Sequence, residues 1–218
     1  MREKSLNIYH DYSIVEGENF SVPKEAAYYL YTKRCLDLLL ASIGIILAIP
    51  IIAVFAILVV LESPGSPFYI QQRVGKNGNY FNLIKLRSMN NDAEKEGAKW
   101  AEANDPRVTK IGSFMRKTRI DELPQLLSVL KGDMSIIGPR PERPVFTAQF
   151  DSEIPGFAKR LAVRPGLTGL AQVSGGYEIT PGEKLKYDLE YISNLTFKLE
   201  LKIMLKTVKV LVTGEGAR

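Results

Sequence analysis

Cysteine and histidine are almost absent from this chain of 218 residues, which contains one of each, Cys35 and His10. A single cysteine excludes a disulfide within the chain and any zinc site built from several cysteines. The histidine lies in a polar N-terminal stretch, so neither Ser-His-Asp nor Cys-His machinery is expected. Any catalysis must therefore depend on carboxylate, lysine, arginine or tyrosine side chains.

The size and charge of the chain limit its organisation and its partners. No single basic tract accounts for the formal net charge of +5 and the isoelectric point near 9.2. Scattered Lys and Arg favour anionic partners and leave nucleic acid, phosphates and acidic lipid open. The length allows a membrane segment and one further domain, but not two ordinary globular domains beside that segment.

One long apolar run covers residues 35–61, interrupted by Asp37, Ser42, Gly44 and Pro50. It would form roughly 40 Å of helix, which exceeds the ~20 residues that a bilayer crossing needs. Pro50 removes one backbone hydrogen bond and predicts a kink near the middle of the run. A cleavable signal peptide is not expected, because the run starts late and lacks a small-residue cleavage site.

Basic residues flank both ends of this run. Those before it are Lys33 and Arg34, and those after it are Arg73, Lys76, Lys85 and Arg87. The positive-inside tendency would place both ends in the cytoplasm, which a helix that bends at Pro50 and returns would satisfy. A single kinked crossing is the alternative, because prolines occur in ordinary membrane helices. The residues themselves leave both topologies open.

The rest of the chain predicts an α+β domain that is mostly helical. Two β-rich runs at 68–74 and 80–87 flank Asn77-Gly78, which is a typical hairpin signal. Helices are predicted at 25–31, 90–104, 108–119, 123–130, 144–150, 182–193 and 197–212. The predicted organisation is a tail at 1–32, a membrane helix at 33–61 and a cytosolic domain at 62–218.

The last predicted helix, 197–212, carries lysines on one face and apolar residues on another. A basic amphipathic helix of this kind can lie on an anionic membrane surface. A core helix with a solvated lysine face explains the pattern equally well.

The densest group of candidate functional residues is Arg116-Lys117-Thr118-Arg119-Ile120-Asp121-Glu122-Leu123-Pro124. Pro124 is tolerated in a first helical turn, which would put Asp121 near the N-cap and Glu122 just inside the helix. In one interpretation Asp121 caps the helix and Glu122 favours its dipole. In the other, the carboxylates hold magnesium or attack phosphorus while arginines stabilise phosphoryl oxygens.

Further basic residues are placed where they could meet phosphate. Arg140 and Arg164 stand beside prolines, whose stiff backbone would present each guanidinium group with little loss of entropy. Lys85 and Arg87 are two residues apart near a strand end and are expected to face the same side. Rigid turns with solvated arginines are the alternative for Arg140 and Arg164.

Several sequence blocks resemble the bacterial sugar transferase family, the monotopic polyprenyl-phosphate phosphoglycosyl transferases, over about residues 33–213. They are Lys33-Arg34 with Asp37 opening an apolar run broken by Pro50; Lys85-Leu86-Arg87-Ser88-Met89; Arg116 with Asp121-Glu122-Leu123-Pro124-Gln125-Leu126; Lys131-Gly132-Asp133-Met134-Ser135; Gly138-Pro139-Arg140-Pro141; and Arg164-Pro165-Gly166-Leu167-Thr168-Gly169. Each block alone is a weak signal, but their order along the chain is specific.

The resemblance implies a re-entrant membrane helix bent at Pro50, with the catalytic domain on the cytoplasmic face of a bacterial inner membrane. Asp121 would attack the phosphorus that bears the sugar of a nucleotide-sugar donor, expected to be a UDP-sugar, and release a nucleoside monophosphate. Polyprenyl phosphate, expected to be undecaprenyl phosphate, would then accept the phosphosugar as the first membrane step of a surface glycan pathway.

The resemblance also implies the roles of the surrounding residues and partners. Glu122 would help to hold Mg²⁺, and Lys85, Arg116 and Arg140 would neutralise the phosphate oxygens. Arg87 and Arg164 are added to the predicted phosphate-binding residues because of their own positions in the sequence. Membrane lipid is an expected partner, a homo-oligomer is allowed, and nucleic acid is not expected. The 32 residues before the membrane run predict the short, catalytic-core form of the family.

One loop departs from the pattern of the family. Ser174-Gly175-Gly176-Tyr177 replaces a frequent Asn-Gly-Arg-Asn run, so no role is carried over to that loop.

Two alternatives to the covalent mechanism remain. Both substrates could bind together, with Asp121 only positioning the metal. In a different class of function, the chain would be a membrane-anchored basic protein that binds nucleic acid or acidic ligands without catalysis.

Overall fold

The structure, a computed structural model, describes residues 26–93, 95, 105–175 and 179–213. Its α-helices are α1 (Ala26–Glu62), α2 (Lys110–Thr118), α3 (Leu126–Lys131), α4 (Pro144–Glu153), α5 (Leu170–Gly175), α6 (Pro181–Ser193) and α7 (Phe197–Thr213). Its strands are β1 (Phe68–Val74), β2 (Tyr80–Leu86), β3 (Ser135–Ile137) and β4 (Gly166–Thr168). Three short 3-10 helices cover Lys76–Gly78, Ile120–Gln125 and Phe157–Ala162.

The observed elements confirm the predicted mostly helical α+β class. The predicted helices at 144–150, 182–193 and 197–212 correspond to α4, α6 and α7 within a few residues. The predicted helix at 123–130 is instead a 3-10 turn followed by the shorter α3. Most of the predicted helix at 90–104 lies outside the described residues.

Helix α1 has 37 residues and continues through Pro50. Its part Tyr29–Glu62 is long and apolar enough to cross a membrane, and little of its most apolar stretch is buried. The short helix predicted at 25–31 is the beginning of α1. Because helical structure is unbroken at Pro50, the sharp return of the chain at this residue stays a prediction.

One face of α1 packs along the rest of the molecule. Ala41 and Ala48 are buried in a cluster with Leu126, and a Cβ atom on Gly44 would lie 3.2 Å from a methyl group of Leu126. Small residues therefore let α3 approach α1 closely. Further along, Val59 packs against Leu86 and Met115. The opposite face is apolar and exposed over most of its length, for example at Leu39, Ile46, Leu47, Ile57 and Leu61.

Both ends of α1 are bound to segment 110–131. Near its start, the Arg34 guanidinium group donates to carbonyl groups at the end of α3, the nearer being Val129 at 2.8 Å. At its end, the Glu62 carboxylate accepts from the first two N–H groups of α2, at 2.9 and 3.0 Å. Both contacts satisfy backbone groups that a helix terminus leaves without intrahelical partners.

A buried polar cluster, here called the anchor cluster, joins the start of α1 to β3, α6 and α7. Its side chains are Lys33, Asp37, Ser135, Tyr191 and Glu200. Lys33 Nζ lies 2.7 Å from Glu200 and 3.6 Å from Asp37. Asp37 accepts from Ser135 Oγ at 2.8 Å and from a β3 backbone N–H at 3.0 Å, while the Tyr191 hydroxyl donates to Glu200 at 2.7 Å. Every carboxylate in the cluster therefore has a partner.

Two short sheets position the loops that surround a cavity in the molecule. β1 and β2 form an antiparallel hairpin, whose turn has positive φ angles at Asn77 (56°) and Gly78 (78°), as the sequence predicted. β3 and β4 pair in parallel. A Cβ atom on Gly166 would lie 2.1 Å from the backbone nitrogen of Gly138, so only glycine allows these two backbones to approach so closely. This contact fixes the loop that carries Arg140.

Candidate active site

A cavity of about 420 Å³ lies between the β1–β2 hairpin, the 3-10 helix Ile120–Gln125 and helices α4 to α6. Its lining contains ten Lys and Arg side chains and three Asp and Glu side chains. Such a surplus of cations in a concave site favours a ligand with several negative charges. Asp121 and Glu122 both lie in this lining.

A sharp turn after α2 brings Asp121 and Glu122 into the cavity. Arg119 has a φ of 59° and separates α2 from the 3-10 helix, of which Asp121 is the second residue. Asp121 and Glu122 therefore lie in the first turn, close to the N-cap as predicted, and Arg119 is the capping position itself. Non-glycine residues at positive φ cost on the order of 1 kcal/mol and are concentrated at functional sites.

Glu122 is held by two cations. Lys85 Nζ lies 3.1 Å from its Oε1, and the Arg140 guanidinium group forms an ion pair with the same oxygen and a longer contact of 3.4 Å with Oε2. Burial would raise the pKa of Glu122, but the charges of Arg140 and Lys85 outweigh burial and hold that pKa well below its ordinary value. Glu122 is thus a fixed negative charge that orients Lys85 and Arg140.

Asp121 is buried to a similar degree but lacks such partners. The side chain is 6% exposed, and its Oδ1 has no hydrogen-bond partner among the described residues. Burial raises the pKa of Asp121 to about 6, and the neighbouring charge of Glu122 adds to this effect while Lys85 opposes it. An unpaired carboxylate oxygen beside fixed cations is suited to interact with a phosphate-bearing ligand.

A buried ion pair positions the backbone of Arg140. Arg160 Nη2 donates to the carbonyl of Arg140 at 2.9 Å, and Arg160 Nε donates to Asp188 at 2.8 Å. Arg160 and Asp188 are 3% and 1% exposed. Burial raises the pKa of Asp188 and Arg160 opposes this, so the pair depends on both partners. Neither residue was predicted from the sequence, because 28 positions separate the two partners.

The predicted phosphate-binding residues divide into two groups. Lys85, Arg116 and Arg140 line the cavity, and Arg116 Nε donates to Ser88 Oγ at 2.9 Å. Arg87, directly after β2, also reaches the lining. Its guanidinium group donates to Ser63 and to the Ser66 carbonyl, so Arg87 stabilises the turn after α1.

Arg164, also predicted to contact phosphate, lies elsewhere in the fold. The structure does not bring it into the cavity lining, and its Nε donates to the Gly132 carbonyl at 2.8 Å. Pro165 follows Arg164 directly, but the Arg164 guanidinium group points to the end of α3. Arg119, which belongs to the dense group of candidate residues at 116–124, also lines the cavity. Arg143 and Gln172 line it too and were not predicted, because nothing in their local sequence marks them.

Asp121 and Glu122 could bind Mg²⁺ only if water and the phosphates of a bound substrate completed its coordination shell. The described residues contain no group of three His, Cys, Asp or Glu side chains arranged to hold a metal ion. Mg²⁺ commonly takes one or two protein carboxylates and completes its shell with water and substrate phosphates. Asp121 Oδ1 and Glu122 Oε2 would suit that arrangement, since neither oxygen has a short hydrogen bond within the described part of the chain.

A buried carboxylate that faces positioned cations is an arrangement suited to phosphoryl chemistry. The chain belongs to the bacterial sugar transferase family, whose sequence profile matches residues 28–214. The resemblance seen in the sequence blocks is thereby confirmed. Membership of a transferase family also identifies the chain as an enzyme and does not support the non-catalytic binding protein.

Curated relatives agree with the family. The putative undecaprenyl-phosphate N-acetylgalactosaminyl 1-phosphate transferase of Bacillus subtilis is 58% identical over 159 residues, which are 73% of this chain and 89% of that protein. The UDP-N-acetylgalactosamine-undecaprenyl-phosphate N-acetylgalactosaminephosphotransferase of Aeromonas hydrophila is 47% identical over 193 residues, 87% of this chain. That alignment spans 46% of the Aeromonas protein.

A third relative carries a different sugar in its name. The UDP-glucose:undecaprenyl-phosphate glucose-1-phosphate transferase of Caulobacter vibrioides is 40% identical over 190 residues, 85% of this chain and 71% of that protein. The family therefore includes proteins that act on different sugars.

Proposed function

We propose that this enzyme transfers a phosphosugar from a UDP-sugar to undecaprenyl phosphate, through a covalent intermediate on Asp121. The observation that carries this proposal is the buried Asp121 Oδ1, which lacks a partner next to a fixed arrangement of Lys85, Glu122 and Arg140. The names of the relatives, which act on undecaprenyl phosphate, supply the acceptor.

The reaction takes place in two displacements at one phosphorus. An oxygen of ionised Asp121 attacks the phosphorus that bears the sugar, a carboxylate O–P bond forms, and the bond to the bridging oxygen breaks with UMP as leaving group. An oxygen of undecaprenyl phosphate then attacks the same phosphorus, and Asp121 leaves as a carboxylate. The products are UMP and undecaprenyl-diphosphate-sugar, so no oxidant or further reactant is required.

The cations of the cavity neutralise and align the phosphates. Lys85 and Arg140 are preorganised by Glu122, so little reorganisation is needed when a charged phosphate arrives. Arg116, fixed by Ser88, adds a third positive group in the same lining. Mg²⁺, held by Glu122 together with the diphosphate of the donor, would supply further charge neutralisation.

The relatives favour N-acetylgalactosamine as the first sugar to test. The Bacillus and Aeromonas proteins, 58% and 47% identical to this chain, both have N-acetylgalactosamine in their names. The Caulobacter protein, at 40%, is named for glucose. Undecaprenyl-diphosphate sugars begin surface glycans, so we assign this reaction to the first membrane step of such a pathway.

The contacts of α1 support a monotopic placement on the cytoplasmic face of the bacterial inner membrane. At about 1.5 Å per residue a straight α1 would measure roughly 55 Å, well above the ~30 Å of a hydrocarbon core. Yet Arg34 near its start and Glu62 at its end both bind segment 110–131. A helix that enters and leaves on one side, bent at Pro50, allows both contacts, whereas a crossing would separate its ends.

Helix α7 supports the same placement. Its exposed apolar side chains include Phe197, Leu201, Leu205, Val208 and Leu211. Lysines at 198, 202 and 209 are exposed between them. This is the pattern of a helix that lies on an anionic bilayer surface, so membrane lipid is a proposed partner.

The activity is tested with purified protein, Mg²⁺, UDP-N-acetylgalactosamine and undecaprenyl phosphate. We expect UMP release in the wild type and a loss of at least about 1,000-fold in Asp121→Asn, which keeps the shape of the side chain but removes the nucleophile. Asp92→Asn is the matched control, because Asp92 is exposed. Full activity of Asp121→Asn would rule out the assigned nucleophile.

The topology is tested by cysteine labelling in sealed vesicles. With the exposed Cys35 replaced by serine, single cysteines are introduced at Tyr31 and at Ser66, both of which are exposed. A membrane-impermeant reagent should label both positions from the cytoplasmic side. Labelling of the two positions from opposite sides would establish a crossing and contradict the monotopic placement.

A further inference from the structure

Gln172 is a buried, unpaired amide in the wall of the cavity. It lies on α5, and neither its Nε2 nor its Oε1 has a hydrogen-bond partner within the described ranges. Buried polar side-chain atoms are nearly always hydrogen-bonded, so an exception in a native fold calls for an explanation. Asp121 Oδ1, in the same cavity, is another exception, and there a reacting ligand is the explanation.

The position of this amide is fixed by tightly packed backbone. A Cβ atom on Gly169 would lie 2.6 Å from Gln172 Oε1 and 2.2 Å from the carbonyl oxygen of Gly138. Gly169 directly follows β4, whose pairing with β3 places the Arg140 loop. Gln172 and Arg140 are therefore positioned by the same pair of strands, and both reach the cavity lining.

The chemistry of Gln172 differs from that of the surrounding cations. Lys and Arg side chains only donate hydrogen bonds, whereas a primary amide offers a donor and an acceptor side by side. A phosphate, which only accepts, would leave the Gln172 oxygen unpaired. The matching ligand edge presents an acceptor next to a donor, as do the imide edge of uracil and a pair of vicinal sugar hydroxyl groups.

We propose that Gln172 is a specificity-determining residue of the donor site, whose amide pairs with an adjacent donor and acceptor on the nucleotide sugar. This inference rests on the proposed function, because it takes a nucleotide sugar as the ligand of the cavity. Gln172 would bind the uncharged part of the donor, while the cations of the cavity bind its phosphates. The buried amide then completes its hydrogen bonds in the complex.

Gln172→Met tests this inference, because methionine keeps the length of the side chain and removes both polar atoms. The matched control is Gln149→Met, since Gln149 is exposed on α4 and its side-chain amide donates to the exposed Glu153. Replacing an unpaired buried amide by an apolar group should leave the melting temperature unchanged or raise it. A purely structural role for Gln172 would lower it.

Ligand binding is measured by calorimetry with UMP and with UDP-N-acetylgalactosamine, using Asp121→Asn as the background so that no turnover occurs. Loss of one or two neutral hydrogen bonds should raise the Kd about tenfold for at least one of the two ligands. A rise for both places the contact on the uridine part that the two ligands share. A rise for UDP-N-acetylgalactosamine alone identifies the sugar.

Unchanged Kd values for both ligands in Gln172→Met, with normal binding in the background protein, would overturn the inference. A lowered melting temperature with unchanged Kd values would do the same and leave Gln172 a structural residue. Because binding needs no turnover, a wild type that binds both ligands but releases no UMP would contradict the proposed function alone.

Discussion

The anchor cluster and the cavity both bury charged side chains, but the carboxylates differ in whether they have partners. In the anchor cluster, Asp37 and Glu200 are both bound by Lys33, and each accepts at least one further hydrogen bond. In the cavity, Glu122 is similarly paired, whereas Asp121 Oδ1 has no partner within the described residues. A paired buried charge holds elements together, and an unpaired one beside cations is available for chemistry.

The two regions also differ in what they connect. The anchor cluster joins the long apolar helix α1 to β3, α6 and α7. The cavity lies between the β1–β2 hairpin, helices α4 to α6 and the 3-10 helix that follows Arg119, a residue at positive φ. Stability and reactivity are therefore assigned to different regions, and substitutions in them should have opposite effects on the free energy of unfolding.

The largest expected effect on stability is that of Lys33→Met. It leaves Asp37 and Glu200 buried without their common cation, and breaking a buried pair in this way costs about 3–5 kcal/mol. Denaturant unfolding in detergent micelles measures the loss. Lys202→Met is the control, because Lys202 is exposed on α7. A change below about 1 kcal/mol in Lys33→Met, the range of exposed pairs, would show that the anchor cluster does not hold α1.

Asp121→Asn should change stability in the opposite direction. The pKa of Asp121 rises from 3.8 to about 6 on folding, so between these values the folded protein binds more protons and its stability falls as the pH rises. Above pH 6 the ionised carboxylate destabilises the fold, and Asn removes that effect. We expect Asp121→Asn to stabilise the protein by about 1–3 kcal/mol at pH 8.

The pH dependence of this gain distinguishes it from a general improvement in packing. The gain should shrink below pH 6 and disappear near pH 4, where Asp121 is protonated in the folded and unfolded states alike. Equal stabilisation at pH 4 and pH 8 would show that Asp121 is not a strained buried carboxylate.

Catalysis should require the ionised form of Asp121. With donor alone, the rate of the first UMP release should fall about tenfold per pH unit below pH 6 and level off above it, because only the carboxylate attacks phosphorus. Single-turnover kinetics from pH 4.5 to 8 measure this limb, since the diphosphate of the donor does not titrate there. A rate that is independent of pH across this range would assign the attack to another group.

The smallest effect is expected for Glu62→Gln. The Glu62 carboxylate accepts two backbone hydrogen bonds at the start of α2, and loss of such a cap typically costs about 1 kcal/mol. Thermal unfolding would measure the difference against Glu153→Gln, which alters an exposed residue near the end of α4. If the two variants are equally stable, the contact at the end of α1 contributes nothing measurable.

The features that the sequence predicted correctly have local causes. The apolar run predicted α1, and Asn77-Gly78 predicted the hairpin turn because few other residues adopt positive φ angles. The Asp121-Glu122 pair stood out because basic residues and Pro124 lie within a few positions. These signals depend on neighbours in the chain, which a sequence displays directly.

The features that the sequence did not predict depend on contacts between distant residues. Lys85 is 37 positions from Glu122, and Arg140 is 18 positions away. Prolines stiffen Arg140 and Arg164 alike, yet Arg140 meets Glu122 and Arg164 meets the Gly132 carbonyl. Which partner a guanidinium group reaches is decided by the packing of β3 against β4, which no local pattern records.

The covalent role of Asp121 is tested most directly by the intact mass of the protein after incubation with Mg²⁺ and UDP-N-acetylgalactosamine in the absence of undecaprenyl phosphate. We expect a mass increase equal to one phosphosugar, located on Asp121 by peptide analysis, with one equivalent of UMP released. Undecaprenyl phosphate added afterwards should remove the adduct, and Asp121→Asn should form none. UMP release that begins only when the acceptor is present, with no adduct at any time, would contradict the covalent route.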